Sequence, residues 1–210
     1  MSRPLVDYLV ARRGVPVRSG LAYDDVLSGD GVYLAAESEH LDVRVPIARC
    51  LVRGLPAIHG RCTLKHGRVP VAIWSDLVRT ARIWAMAGHE TLLAVVHEPP
   101  WGYRVLRPPQ VVGRERVLYR TTPATVLELH SHHAYPAYVS RVDDADEQAL
   151  RLYGVVGRLD QPRPEVALRV GAYGYHLPLP WEAVFEGDRA GFRDMWTESQ
   201  GEEQRLAFGL

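Results

Sequence analysis

Leu129-His130-Ser131-His132-His133, followed by Ser140-Arg141-Val142-Asp143, is the stretch on which the reading of this chain turns. Thr125 to His133 reads as a short strand. In a strand, side chains at i and i+2 project from one face, so His130 and His132 present two imidazoles side by side while Ser131 and His133 point away. After a segment containing Pro136, Ser140 opens a helix as its N-cap. Asp143 then falls at N3, and Asp144, Asp146 and Glu147 sit toward the positive end of the helix dipole. A strand, a loop and a helix start can fold that first turn back over the strand end, which carries Asp143 toward the two histidines.

Two neutral imidazoles and one carboxylate are a donor set for zinc, and three protein ligands leave the fourth tetrahedral position to water. Such a site carries a formal charge of about +1 and draws the pKa of that water toward roughly 7, which favours hydrolysis. Taken singly, the parts have plainer readings. Ser140 and Asp143 make an ordinary cap, and a lone strand histidine is usually a satisfied polar residue. The joint spacing is more specific: His-x-His, seven intervening residues, then Ser-x-x-Asp. Independent caps and chance histidines have no reason to fall at those separations.

Working outward, Ser75 can cap a helix with Leu77, Val78, Ala81, Trp84, Ala85 and Gly88 near one face, ending near Gly88 or His89. A strand follows at Glu90 to Val96 and is broken by Glu98-Pro99-Pro100. Trp101 to Leu106 and Val117 to Tyr119 are further strand candidates. Downstream, Ala149, Leu150, Leu152 and Tyr153 read as the apolar side of the Ser140 helix. Gly154 to Asp160 and Glu165 to Tyr175 read as strands joined through Gln161-Pro162-Arg163-Pro164 as a hairpin. Upstream, Val32, Leu34, Leu41, Val43 and Val45 alternate with polar neighbours between Gly31 and Ile47. The expectation is an α+β chain: residues 1–67 as a small β-rich appendage, 68–186 as the domain that carries the chemistry, and 187–210 as a polar tail with Glu198, Glu202 and Glu203 around Gly201.

The chain has 210 residues, 25 basic and 25 acidic, and 47% apolar content, so one core can form without disulfide or structural metal. Zero formal net charge and no Lys/Arg-rich face argue against a nucleic-acid or anionic-membrane partner. Cys50 and Cys62 are too few for a thiolate zinc site and read as buried small apolar residues. Met1 to Gly14 lacks the apolar run of a signal peptide and no run approaches a membrane span, so a cytoplasmic, soluble protein is expected.

The string His130-x-His132, Ser140-x-x-Asp143 resembles the signature of the JAMM, or MPN-plus, metallopeptidases. The run from Leu129 through Asp160, with Asp143-Asp144-Ala145-Asp146-Glu147 and Leu152-Tyr153-Gly154-Val155-Val156-Gly157, resembles the prokaryotic JAB branch, including the JAB proteins of plasmid-associated PRTRC systems. The resemblance implies a cytidine-deaminase-like mixed β-sheet flanked by helices, covering residues 68 to about 186. It implies zinc on His130, His132 and Asp143, a general-base Glu on the strand after the first helix, and an oxyanion-stabilising Ser140. Glu90 occupies the base position in Gly88-His89-Glu90-Thr91-Leu92-Leu93, although Leu93-Ala94-Val95-Val96-His97 stands where the family often has Gly-x-Leu-x-Gly. Glu128 shares the face of His130 and ranks second; Glu98 reads as an exposed turn residue.

The implied activity is cleavage of a peptide or isopeptide bond at the C-terminal tail of a ubiquitin-like protein, by attack of a zinc-bound water activated by a Glu. The alternative is a non-catalytic MPN-type module that binds such a partner. A serine hydrolase lacks its Gly-x-Ser-x-Gly elbow here, and a nucleobase deaminase lacks its His-x-Glu and Pro-Cys-x-x-Cys ligands. His40, His59, His66, His89, His97 and His176 are isolated in sequence and default to structural or surface roles. The tryptophans read as core packing.

Overall fold

The computed structural model describes residues 5–112, 117–119, 122–187 and 191–199. Residues 6–64 supply a five-stranded mixed sheet: β1 (Val6–Val10), β2 (Tyr23–Leu27), β3 (Gly31–Glu37), β4 (Leu41–Arg49) and β5 (Arg61–Leu64), in chain order. The first pair is parallel and the others antiparallel. Leu34, Leu41, Val43 and Val45 are buried, as the alternation from Gly31 to Ile47 requires, but Val32 is only half-buried, and Tyr33 and Ala35 are buried on the other face of the sheet. β2 escapes an apolar pattern because one of its two buried positions is Asp24, whose carboxylate accepts hydrogen bonds from Arg18 Nε at 2.6 Å and from the Ser19 hydroxyl.

Helix α1 spans Val71–Met86 and starts at Pro70, not at Ser75. Proline's fixed φ and missing N–H suit a helix start, whereas Ser75 lies one turn in and its hydroxyl donates to the Val71 carbonyl at 3.1 Å. Trp74, Leu77 and Ala81 form its buried stripe. There follow β6 (Leu92–Glu98), β7 (Gly102–Leu106), the separate hairpin β8 (Gln110–Val112) and β9 (Val117–Tyr119), β10 (Thr125–Ser131) and α2 (Arg141–Asp146). The chain closes with β11 (Arg151–Gly157), β12 (Glu165–Ala172), β13 (Tyr175–Leu179), α3 (Trp181–Val184), β14 (Arg193–Asp194) and α4 (Met195–Ser199).

The second sheet runs β13-β12-β11-β10-β6-β7, with β14 beside β12; β10 and β11 are parallel, as are β12 and β14, and the rest antiparallel. Pleat alternation separates its two faces. Leu93, Val95, Leu127, Leu129, Leu152, Val156, Leu168 and Val170 share one cluster with α1 and with the inward residues of the first sheet. Each such side chain contributes about 1.5–3 kcal/mol on burial. The opposite face carries Glu128, His130, Tyr153 and Arg169 and receives α2. The chain is therefore α+β, with two mixed sheets and few helices.

Three expectations need correction. Ala149, Leu150, Leu152 and Tyr153 lie outside the Ser140 helix, which stops at Asp146; Leu152 and Tyr153 belong to β11, where they pair in parallel with Leu127 and Glu128 of β10. Cys50 is exposed and Cys62 half-buried, its thiol pushed up to about 12 by burial. Beyond Glu186, the segment from Gly191 to Ser199 returns to the sheet: Phe192 is buried, and the Asp194 carboxylate accepts from the N–H groups of Trp181 and Trp196 at 2.9 and 3.1 Å. Residues 188–190 and 200–210, including Glu202 and Glu203 of the expected acidic tail, lie outside the described residues. Among the described residues no helix is long and apolar enough to cross a membrane.

Candidate metal centre

His130 lies in β10. His132 lies one residue past its end, but its N–H still donates to the Val156 carbonyl at 2.8 Å, so the pleat persists and both imidazoles face the same way. Their Nε2 atoms are 3.2 Å apart. His133 then ends the strand with φ 47°, short of the run through His133 that the sequence suggests. The following loop is laid across β11: Arg158 and Leu159 N–H groups donate to the Tyr135 and His133 carbonyls, each at 2.8 Å. Gly157 permits this crossing. A Cβ there would stand 2.4 Å from the Tyr135 carbonyl oxygen and 2.5 Å from the Ala137 nitrogen.

Within that loop the Pro136 carbonyl lies 3.2 Å from His132 Nδ1. A carbonyl can only accept, so Nδ1 carries the proton and Nε2 keeps its lone pair, directed at His130. Asp143 arrives from the other side. Ser140 caps α2 with a complete capping box: the Asp143 N–H donates to Ser140 Oγ at 3.3 Å, and the Ser140 N–H donates to Asp143 Oδ2 at 2.7 Å. The carboxylate is thereby divided, Oδ2 tied to the helix start and Oδ1 placed 3.6 Å from His130 Nε2.

One ligand atom from each of His130, His132 and Asp143 lies within 4.8 Å of the others. Donor atoms bound to zinc at tetrahedral angles lie roughly 3.3–3.6 Å apart, which the two shorter separations here approach. The residues fit a metal of that class. Burial pushes the His130 pKa down to about 4, against the pull of Asp143, with His132 and Arg169 lowering it further. The imidazole therefore stays neutral and able to ligate at ordinary pH.

Behind the three side chains, α2 is bolted to the sheet by Arg169 of β12. Its guanidinium reaches Glu147 Oε2 from Nε at 2.6 Å and Asp144 Oδ1 from Nη1 at 2.5 Å. Burial raises the Glu147 pKa to about 7 despite Arg169, with Asp143 and Glu128 adding to the rise. The acidic first turns thus do more than complement a dipole. Arg169 shows no spacing to Asp144 or Glu147 that a sequence pattern could register.

Glu128 is buried on the His130 face and ion-paired with Arg151 of β11. Glu90 is exposed and precedes β6 rather than lying in it. Its neighbour Thr91 is joined to the strand between the two histidines: the Thr91 N–H donates to Ser131 Oγ and the Ser131 N–H to the Thr91 carbonyl, both at 3.0 Å. His130, His132, Asp143 and Ser140 are thus brought together, while Glu90 sits at the same sheet end without contact to them. Comparison with models of known protein families and with curated proteins finds no match for this chain.

Proposed function

We propose that this chain is a zinc-dependent metallopeptidase of the JAMM/MPN-plus type, of the prokaryotic JAB branch, that hydrolyses a peptide or isopeptide bond at the flexible C-terminal tail of a ubiquitin-like protein. The observation that carries the reading is the convergence of His130 and His132, at a strand end, with the untied oxygen of Asp143, at a helix start eleven residues after His132, at ligand-compatible distances. The element order supports it as well: α1, then β6 after Glu90, the His-x-His strand β10, the Ser140-capped α2, and β11 and β12 closing the sheet.

A bound zinc ion supplies Lewis-acid polarisation of a carbonyl and lowers the pKa of water. The protein's own groups do the rest. Ser140 Oγ accepts from the Asp143 N–H, which leaves its hydroxyl proton free to donate to the oxyanion that develops during acyl transfer. A carboxylate base takes the proton from the attacking water and returns it to the departing amine. Glu90 fits that role better than Glu128, because the Glu90 side chain is exposed, whereas Glu128 is buried with its carboxylate already committed to Arg151.

The test is incubation of the zinc-loaded full chain with a ubiquitin-like protein carrying a C-terminal peptide extension, read by mass spectrometry. Cleavage at the modifier's C-terminus, abolished by a chelator and by His132→Ala, is expected. Stoichiometric zinc with no cleavage of any such fusion, and no effect of Glu90→Gln on partner binding, would identify the binding module instead.

A further inference from the structure

Three histidines that are far apart in sequence meet at the other end of the sheet. His40 lies between β3 and β4, His66 follows β5, and His97 is in β6. One ring nitrogen from each lies within 4.8 Å of the others. His40 is buried, His97 half-buried and His66 exposed. His97 is five residues along β6 from Leu92, the cross-strand partner of His130, or roughly 17 Å at ~3.3 Å per residue, so the two clusters are separate.

The tautomer of His40 is set by the fold. Its Nε2 lies 3.2 Å or less from a carbonyl, at 3.1 Å from the Pro123 oxygen, and must donate to it; Nδ1 is left with a lone pair, 3.2 Å from His66 Nε2. A metal-ligating histidine is normally oriented in this way, by a carbonyl on its far nitrogen. His132 uses the Pro136 carbonyl for the same purpose. Among the described residues, the buried Nδ1 of His97 has no hydrogen-bond partner, an arrangement that leaves a polar atom unsatisfied. Burial, with His66 and His40 beside it, lowers the His97 pKa and keeps that ring neutral.

We propose that His40, His66 and His97 form a second divalent-metal site, of the zinc class, that pins the first sheet to the seven-stranded sheet. Three imidazoles suit zinc and neighbouring borderline metals. The 3.2 Å separation of His40 and His66 already matches the ~3.3 Å expected of two zinc-bound nitrogens. His66 is exposed and lies stacked on His97 with ring centroids 3.8 Å apart, so ligation of one ion by all three requires its ring to turn out of that stack. The exposed side also provides an entry path for the ion.

The test is zinc stoichiometry of the full chain by elemental analysis after equilibrium dialysis, alongside thermal melts. Wild type is expected to hold two ions, and His66→Ala and His132→Ala one each. In the His132→Ala background, zinc at about 100-fold over its Kd raises Tm by roughly 5–10 °C, and His66→Ala removes that rise. His66 is exposed, so its loss leaves the fold intact. One ion in wild type and none in His132→Ala would overturn the second site while leaving the first standing. Two ions in wild type and in His66→Ala alike would also overturn it.

Discussion

His132 Nδ1 and the Pro136 carbonyl oxygen are 3.2 Å apart, so a loop residue four positions downstream determines which nitrogen of His132 faces His130 and Asp143. That loop is held over β11 by backbone hydrogen bonds from Arg158 and Leu159 and by the absence of a side chain at Gly157.

Gly157→Ala forces a methyl into the backbone of Tyr135 and Ala137 and displaces the Pro136 carbonyl. Zinc affinity at the first site should fall about 10–100-fold, as when an outer hydrogen-bond partner of a ligand is lost, with a stability loss of about 2 kcal/mol or more. Competitive zinc titration and denaturant melts check this. Wild-type affinity in a destabilised Gly157→Ala would show that the loop does not orient His132.

Ser140→Ala separates two roles of one residue. The backbone N–H at 140 still holds Asp143 Oδ2, so zinc affinity should change less than about threefold, while loss of the cap costs about 1 kcal/mol. Loss of the hydroxyl donor should lower kcat about 10²-fold or more. A kcat equal to wild type removes Ser140 from the proposed chemistry.

The two candidate bases should part company. Glu90→Gln should lower kcat about 10²–10⁴-fold with little change in Tm, because the side chain is exposed. Glu128→Gln breaks a buried pair with Arg151 and should destabilise by about 3 kcal/mol. If Glu128→Gln instead folds like wild type and abolishes turnover, the base is Glu128.

Metal-free protein should show two opposed pH dependences. His130 takes up a proton in the unfolded chain below its ordinary 6.5 but in the fold only near 4. The unfolded state therefore binds more protons across that window, and stability present above pH 6.5 declines as pH falls through about 4, by on the order of 2–3 kcal/mol. Glu147 has the reverse sign: its pKa is raised from 4.5 to about 7, so its contribution is full below pH 4.5 and is lost as pH rises through about 7. Urea unfolding from pH 4 to 8 should show that His130→Asn flattens the acid limb and Glu147→Gln the neutral one. An unchanged acid limb in His130→Asn would contradict the neutral buried imidazole.

Where the chain repeats a local period, the sequence is legible. The β10 pleat aligns His130 with His132, and the helix start at Ser140 brings Asp143 to N3. Both follow from backbone geometry within a few residues, and both are observed. The buried stripe of α1 is legible for the same reason, although its start is not, since a proline cap competes with a serine that turns out to bond within the helix.

What the amino-acid order determined by itself is therefore the pair of local devices that can each present a ligand: a two-residue strand repeat and a three-residue cap. Whether they face one another depended on the Gly157 crossing and on Arg169 fastening α2 to β12. The pairing of Glu128 with Arg151 and the meeting of His40, His66 and His97 likewise appear only in three dimensions. Each joins residues more than twenty positions apart in or beside different strands, and such neighbours are set by sheet order and register, for which no local periodicity exists.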